Sequence, residues 1–405
     1  MRILLFTEIY DCGGVDTFII NLINHWPRDE DSFVIIANEN YPGLQIIEDN
    51  VSRPCEIVRH NVPVYANCFS KGLLKTIRKF LSPVLRYVFI IYNILALRKI
   101  LLCKNPDFLM VINGGYPGGD SCRAAGLAWG IFSRKPYSIH NFHNLVMRPP
   151  WYFRLQEYLI DIALCRFTSH FVTVSRAAAD SICLRPTINN KNVTTYIHNG
   201  LDIMPIQQQP QINIRQEIGI SPSTPLCLTL CTYEPRKGHY FLFKAFRKVL
   251  EKVPDTHLLI CGYGFPHEIS LVQKYVQDFQ LENHVHLMDF RKDISNLLSH
   301  ANILLVPSQA YESFGFTSIE AMAHKVPVVA TNVGGIPEVV ANDDGGYCVE
   351  KTDVCLFADH IIKLLLDKDL RKEQGEKGFQ RHQKFFTAEK MAQDYAELII
   401  NNVLS

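Results

Sequence analysis

Two carboxylates, Glu312 and Glu320, stand with seven residues between them. The apolar run Ile303–Val306 precedes them, closed by Pro307 and Ser308, and reads as a buried parallel strand. From about Phe316 the pattern turns helical, with Ile319, Met322 and Ala323 on one side. A second apolar run, Pro327-Val-Val-Ala-Thr331, leads into Gly334-Gly335 and a further helix with Pro337 near its first turn. Strand, loop, helix, strand, glycine loop and helix make a doubly wound α/β unit, whose ligands sit where strand C-termini meet helix N-termini. Glu312 falls in the loop at the helix mouth, and Glu320 about one turn inside. A carboxylate so placed can accept two hydroxyl hydrogen bonds at once, as a vicinal diol offers. The backbone N–H groups of Ser313-Phe314-Gly315-Phe316-Thr317 suit a pyrophosphate. Spacing alone leaves a plainer reading open, with Glu312 a capping acid and Glu320 on a solvated face.

Other candidates lie at predicted strand ends. Arg236 and Lys237 follow the strand Leu226–Leu230 and precede a helix from Tyr240, where two cations would neutralise a diphosphate or simply sit in an exposed turn. Gly262-Tyr263-Gly264 closes the next strand as a wall beside such a ligand. Gly13 and Gly14, after the strand Ile3–Phe6, would let a phosphate approach the backbone or serve a tight turn. The full dinucleotide fingerprint G-x-G-x-x-G is absent there. Asn113 opens a loop rich in glycine, and His140 and His143 follow the strand start Tyr137–Ile139.

At Glu312–Glu338 the chain resembles the family 4 glycosyltransferases, which carry a Glu-x7-Glu pair followed by a Pro-Val-Val strand and a Gly-Gly-Ile-Pro-Glu turn. The resemblance implies an α/β fold of two Rossmann-like doubly wound domains facing a cleft (GT-B). It implies that Glu320 holds the ribose of a nucleoside diphosphate sugar and that Glu312 contacts the sugar and serves catalysis. It implies also that Lys237 and Arg236 meet the donor phosphates, with Arg236 standing in for an arginine that many members carry upstream. Gly13 and Gly14 would lie across the cleft from the pyrophosphate, and the region of Phe290 and Arg291 would meet the base through backbone groups. A histidine after the fifth strand contacts the donor sugar in the family. His140 matches best, with His143 and Asn113 on the acceptor side. Lys325 departs from the family's usual glycine. The implied activity is retaining transfer of a hexose-type unit to a hydroxyl of a glycan or lipid-linked acceptor in cell-surface polysaccharide or glycolipid synthesis. A nucleotide-sugar epimerase and a non-catalytic nucleotide-sugar binder are the rival readings.

The elements that position these residues need two domains, since 405 residues exceed one core. Residues 1–203 form the acceptor-side domain and 204–225 a polar linker. Residues 226–385 form the nucleotide-sugar domain, and 386–405 a closing helix packed back on the first. With 47% hydrophobic and 20% charged residues and a net charge of +1, no nucleic acid or other polyelectrolyte partner is implied. The 12 cysteines show no C-x-x-C pair, and no Asp-x-Asp motif with its carboxylates about a strand end is evident, so neither disulfides nor a metal or other cofactor is called for, and a cytoplasmic setting fits. No signal peptide is evident. Between Glu56 and Asp107 every charged residue is basic, namely Arg59, Lys71, Lys75, Arg78, Lys79, Arg86, Arg98, Lys99 and Lys104. With Leu73, Leu74, Ile77, Phe80 and Leu81 at helical spacing, 71–104 reads as a basic amphipathic helix for an anionic membrane surface, or a core helix with a basic face.

Overall fold

The computed structural model describes residues 1–9, 13–63, 73–133, 138–189, 194–202 and 213–404. The chain divides into two compact units, Met1–Gly200 with Ala388–Ser405, and Leu201–Thr387.

The first unit is built on a parallel sheet of β1 (Arg2–Thr7), β2 (Ser32–Asn38), β3 (Cys55–His60), β4 (Phe108–Asn113), β5 (Ser138–Phe142), β6 (Thr168–Thr173) and β7 (Thr194–Tyr196). The order is β3-β2-β1-β4-β5-β6-β7. Strand β1 shows why. Ile3 and Leu5 join Phe18, Ile35 and Met110 on one face, while Leu4 and Phe6 join Val34, Leu109 and Val111 on the other. A strand apolar on both faces is satisfied only between two helical layers. Ile3 pairs with Phe33 of β2 and Phe108 of β4, so the order reverses between β1 and β4. The C-terminal helix Ala388–Leu404 belongs to this unit. Its Tyr395 ring lies 5.4 Å from Phe18, and its hydroxyl accepts from Asn141 Nδ2 at 2.6 Å.

On the opposite side of the sheet, the helix Asp120–Phe132 is buried from Asp120 to Trp129, because the helices Leu73–Cys103 and Arg154–Phe167 both pack on it. The approach is close at Gly130, where a Cβ would stand 2.1 Å from the Phe167 ring. Three arginines and three acids are sealed where these helices meet. Glu157 accepts from Arg86 at 2.6 Å and from Arg123 and Arg185 at 2.8 Å, Asp120 pairs with Arg86 and Arg123, and Asp161 with Arg185. Arg86 is therefore an interior ion-pair partner and not the solvated cation its sequence neighbourhood predicts. Lys104 and Arg59 are also paired, with Glu56 and Glu48. Residues 73–103 form one helix of 31 residues. Lys71 lies outside the described residues, as do the side chains of 73–83, including Lys75, Arg78 and Lys79. Among the described residues no helix is long and apolar enough to cross a membrane.

The second unit carries β8 (Leu226–Leu230), β9 (His257–Cys261), β10 (Val285–Met288), β11 (Ile303–Val306), β12 (Val328–Thr331), β13 (Ala341–Asn342) and β14 (Gly345–Val349). Their order is β10-β9-β8-β11-β12-β14-β13, which reverses between β8 and β11. Leu258, Ile260, Ile303, Leu305 and Val329 form its core with Leu242, Phe246, Phe357 and Ile361 of flanking helices. The expected linker 204–225 needs correction over its described part. Residues 213–217 begin a short helix in which Ile214 is buried, and Arg215 Nη2 donates to the His300 carbonyl at 2.8 Å. An apolar anchor and a buried arginine fasten this stretch to the second unit, despite its polar, proline-bearing composition.

Candidate active site

Ligand crevices in doubly wound sheets form where the strand order reverses. In the second unit that place holds a cavity of about 140 Å³. Thr229, Leu230 and Cys231 line it from the end of β8, Val306 to Ser308 from the end of β11, and Phe316 and Thr317 from the next helix. Lys237 and Glu312 face it as well, and Lys237 Nζ lies 2.6 Å from Glu312 Oε2. Ser308 Oγ donates to the same carboxylate oxygen at 3.0 Å. The helix Phe316–Ala323 starts beside the pair, capped by Gly315 in the left-handed region at φ 90°. A cation, its carboxylate partner and a helix start thus converge on one cavity, and a helix start favours an anion. Ser308 and Cys231 were not singled out by spacing. Their only signal is to lie within two residues of a strand's end.

The loop bearing Glu312 is braced from three sides. The Gln309 N–H donates to the Arg236 carbonyl at 2.7 Å, and the Gly335 N–H to the Glu312 carbonyl at 2.9 Å. Thr331 Oγ1 donates to the Ser308 carbonyl. Gly334 sits at φ 57° with a Cβ position 1.8 Å from the Glu312 carbonyl oxygen, so this turn admits no side chain. Lys325, where the family's glycine is expected, adopts φ 58°, and its ammonium pairs with Glu376 at 2.7 Å. The left-handed backbone explains why glycine suits that turn.

The remaining candidates of this unit separate into engaged and open groups. Arg236 is engaged: its guanidinium forks onto Glu234 at 2.6 and 3.2 Å, and Nη1 reaches the Tyr311 carbonyl at 3.4 Å. Glu234 therefore offsets the second cation expected at this turn. Arg291 is engaged too, held by Glu217 at 2.8 Å and Asp293 at 2.7 Å, so its side chain is not free for a base. Tyr263 and Phe290 are exposed beside the ends of β9 and β10. The Gly262 N–H donates to the Met288 carbonyl, and a Cβ there would lie 1.7 Å from the Cys231 carbonyl oxygen. Phe314 is buried, with its ring 6.3 Å from Phe316, and Ser313 is half-buried. Glu320 is half-buried, and its carboxylate has no partner among the described residues. Burial pushes its carboxyl up to about 7.

In the first unit His140 does not take the place at the strand end that was expected of it. His140 lies in the middle of β5, wholly buried, and a Cβ on Gly126 would stand 2.4 Å from its Nε2. Its side chain points under the helix Asp120–Phe132 and not out of the strand end. Burial pushes it down to about 3, so it stays neutral. The strand runs to Phe142, two residues beyond, and the histidine just past its end is His143. Its half-buried ring meets Phe18 edge-on at 4.5 Å, and the His143 backbone N–H donates to the Asn113 carbonyl at 3.0 Å. Asn113 closes β4, and its Oδ1 accepts from the Gly119 N–H at 3.3 Å. Gly13 is exposed, and its N–H is taken by Asp16 Oδ2 at 2.9 Å as a helix cap, so that amide is not open to a phosphate. Gly14 begins the helix Gly14–Asn24. Cys12 of that loop lies outside the described residues. At the end of β1, unmarked by any motif, buried Glu8 accepts from Asn38 Nδ2 at 3.2 Å and lies 3.6 Å from His60 Nε2. Among the described residues no group of three His, Cys, Asp or Glu could hold a metal ion, and the ten described cysteines are free thiols.

Known proteins match the chain over both units. Residues 12–204 match the family model for Glycosyltransferase Family 4, and residues 210–381 match that for Glycosyl transferases group 1. N-acetyl-alpha-D-glucosaminyl L-malate synthase of Bacillus anthracis is 32% identical over 215 residues, 53% of this chain and 55% of that protein. D-inositol 3-phosphate glycosyltransferase of Corynebacterium efficiens is 29% identical over 45% of each chain. These matches thus span about half the length of the curated relatives. A glycosyltransferase of Rickettsia africae has the same fold, with a TM-score of 0.78 at 20% identity over 100% of this chain and 98% of that one. Anabaena HepE, solved with UDP and glucose, superposes with a TM-score of 0.74 at 19% identity over 99% of this chain and 100% of its own. With both units matched, and Lys237, Glu312 and the helix start assembled at one sheet reversal, the chain belongs to glycosyltransferase family 4 and has the GT-B fold.

Proposed function

We propose that this chain is a retaining glycosyltransferase that moves a hexose-type unit from a nucleoside diphosphate sugar to a hydroxyl of a glycan or lipid-linked acceptor, in cell-surface polysaccharide or glycolipid synthesis. The observation that carries the reading is the cavity holding Lys237, Glu312 and the start of the helix Phe316–Ala323. A diphosphate there meets a cation and outward N–H groups, which stabilise the negative charge that grows as the sugar departs. Glu312 already accepts from Lys237 and Ser308, which suits it to orient a sugar hydroxyl more than to act as a free base. The bond from the anomeric carbon to the diphosphate then breaks while the acceptor oxygen bonds to that carbon on the same face. The acceptor proton passes to the departing diphosphate. Glu320, unpartnered one turn inside the helix, takes the ribose diol. In the first unit, His143 takes the role that the resemblance gave to His140, because only His143 stands past the strand end.

A thermal-shift panel of UDP, GDP and ADP sugars tests the donor class. One nucleotide series is expected to raise Tm, by the equivalent of about 3 kcal/mol at a hundredfold excess over Kd, followed by turnover on lipid-linked acceptors. No shift with any of the three would end the reading. Sugar interconversion without acceptor would favour an epimerase, and tight donor binding without turnover on any acceptor would favour a binder. Replacing His143 with Ala is expected to lower kcat/KM about tenfold, the loss of one hydrogen bond to the donor sugar, with the fold intact, checked by kinetics beside circular dichroism. His140→Ala is expected instead to lower Tm through a buried cavity.

The membrane reading of 71–104 enters as part of this proposal. It is supported by Val84, Val88, Ile91, Tyr92 and Leu95, which recur at helical spacing and are all exposed on the helix Leu73–Cys103.

A further inference from the structure

A second cavity, of about 390 Å³, lies wholly within the first unit. Its walls include Arg148, Arg154, Tyr158, Asp161, Arg185 and Thr187. The one acid among them is neutralised: Asp161 accepts from Arg185 Nη1 at 3.3 Å and from the Tyr116 hydroxyl. Arg185 is 2% exposed. Its Nη1 is spent on Glu157 and Asp161 and its Nε on the Met147 carbonyl, but its Nη2 has no hydrogen-bond partner among the described residues. Arg148 and Arg154 are exposed, and no ion pair holds either of them among the described residues. The interior network balances three arginines against three acids, so the surplus charge of the cavity is that of Arg148 and Arg154. Guanidinium groups in such numbers match phosphate oxygens in shape and charge.

The surface beside the cavity is apolar. Leu155, Tyr158, Leu159 and Ile162 recur at helical spacing on the outer side of the helix Arg154–Phe167, and Trp151 and Tyr152 precede them, all exposed. The helix Leu73–Cys103 meets this one through Arg86, whose guanidinium reaches Glu157 and lies 5.3 Å from the Phe153 ring. On the segment 144–167 the only acids are Glu157 and Asp161, both buried, and the exposed charges there are basic, while the exposed acid Asp180 ends the helix Arg176–Asp180 just before the cavity's other wall. An aromatic and aliphatic surface with positive rims and sequestered acids complements an anionic bilayer.

We propose that this cavity is a binding site for the phosphate headgroup of an anionic phospholipid, with Arg148, Arg154 and Arg185 on the phosphate and Trp151 and the outer face of Arg154–Phe167 in the lipid interface. The site is separate from the diphosphate cavity of the second unit. It rests on the membrane reading above and not on the transfer chemistry.

Trp151 reports directly, because it is 78% exposed while Trp26 and Trp129, the other two tryptophans, are 1% exposed. The whole chain is titrated with vesicles of phosphatidylcholine, alone and with about a third phosphatidylglycerol, while tryptophan emission is followed. The expected result is a blue shift with the anionic vesicles that Arg148→Ala/Arg154→Ala weakens about thirtyfold in lipid concentration. Soluble glycerol 3-phosphate is expected to compete with the vesicles for the wild-type chain and not for the variant. An equal shift in wild type and variant would overturn the headgroup site and leave the membrane reading standing. Absence of any shift with either vesicle would overturn both. Binding of inorganic phosphate or glycerol 3-phosphate without vesicle partition would overturn the lipid assignment.

Discussion

Lys237→Ala is expected to lower kcat by about 10²- to 10³-fold while weakening nucleotide binding far less. The reason is where the ammonium stands. It lies at the cavity beside the start of the helix Phe316–Ala323, and in the free enzyme it is held 2.6 Å from Glu312. A ground-state diphosphate already carries charge that the helix N–H groups satisfy in part. The charge that appears only as the sugar leaves depends most on the ammonium beside it. Steady-state kinetics separate the two effects, and an unchanged kcat would remove Lys237 from the mechanism. Glu312→Gln provides the complementary reading. It releases Lys237 from its partner, so nucleoside diphosphate is expected to bind more tightly while turnover falls. A variant pair that merely damaged the fold would lose both together.

The second large effect belongs to Glu320. Replacing it with Ala is expected to weaken nucleotide binding about a hundredfold, the loss of two hydrogen bonds to a charged acceptor, measured by calorimetry. Its pH dependence has a definite sign. Burial raises the carboxyl to about 7 in the folded, ligand-free chain. Between about pH 5 and 7 the native state keeps a proton that the unfolded chain has lost, so stability falls as pH rises through that window. Glu320→Gln abolishes this slope, and near pH 8 it is expected to be the more stable protein by up to about 3 kcal/mol. Ribose hydroxyls donate more strongly to the ionised form, which accepts both at once, so nucleotide affinity is expected to rise with pH through about 7 and to level off above it. Chemical denaturation and nucleotide titration at several pH values check both slopes. A pH-independent affinity would place the diol elsewhere.

What the sequence determined by itself was the set of parts. Runs such as Ile303–Val306, apolar at every position and stopped by proline, read as interior parallel strands, as the structure has them, and Gly334-Gly335 reads as a turn, in which the structure leaves Gly334 no room for a side chain. Glu312, Glu320 and Lys237 were marked by residue type and frame. Their assembly was decided by the tertiary structure. Lys237 and Glu312 are 75 residues apart, and they meet because β8 and β11 are neighbours where the order reverses. Local periodicity carries no record of that neighbourhood. The phase of β5 is a second case. Two histidines three residues apart are equivalent in the sequence, but the strand continues to Phe142, so His140 turns inward and His143 clears the end. The cations Arg86, Arg236 and Arg291 make a third, since a positive charge is a surface feature until its partner is known. Glu157, Glu234 and Glu217 were supplied by packing, and packing also left Arg148 and Arg154 without one.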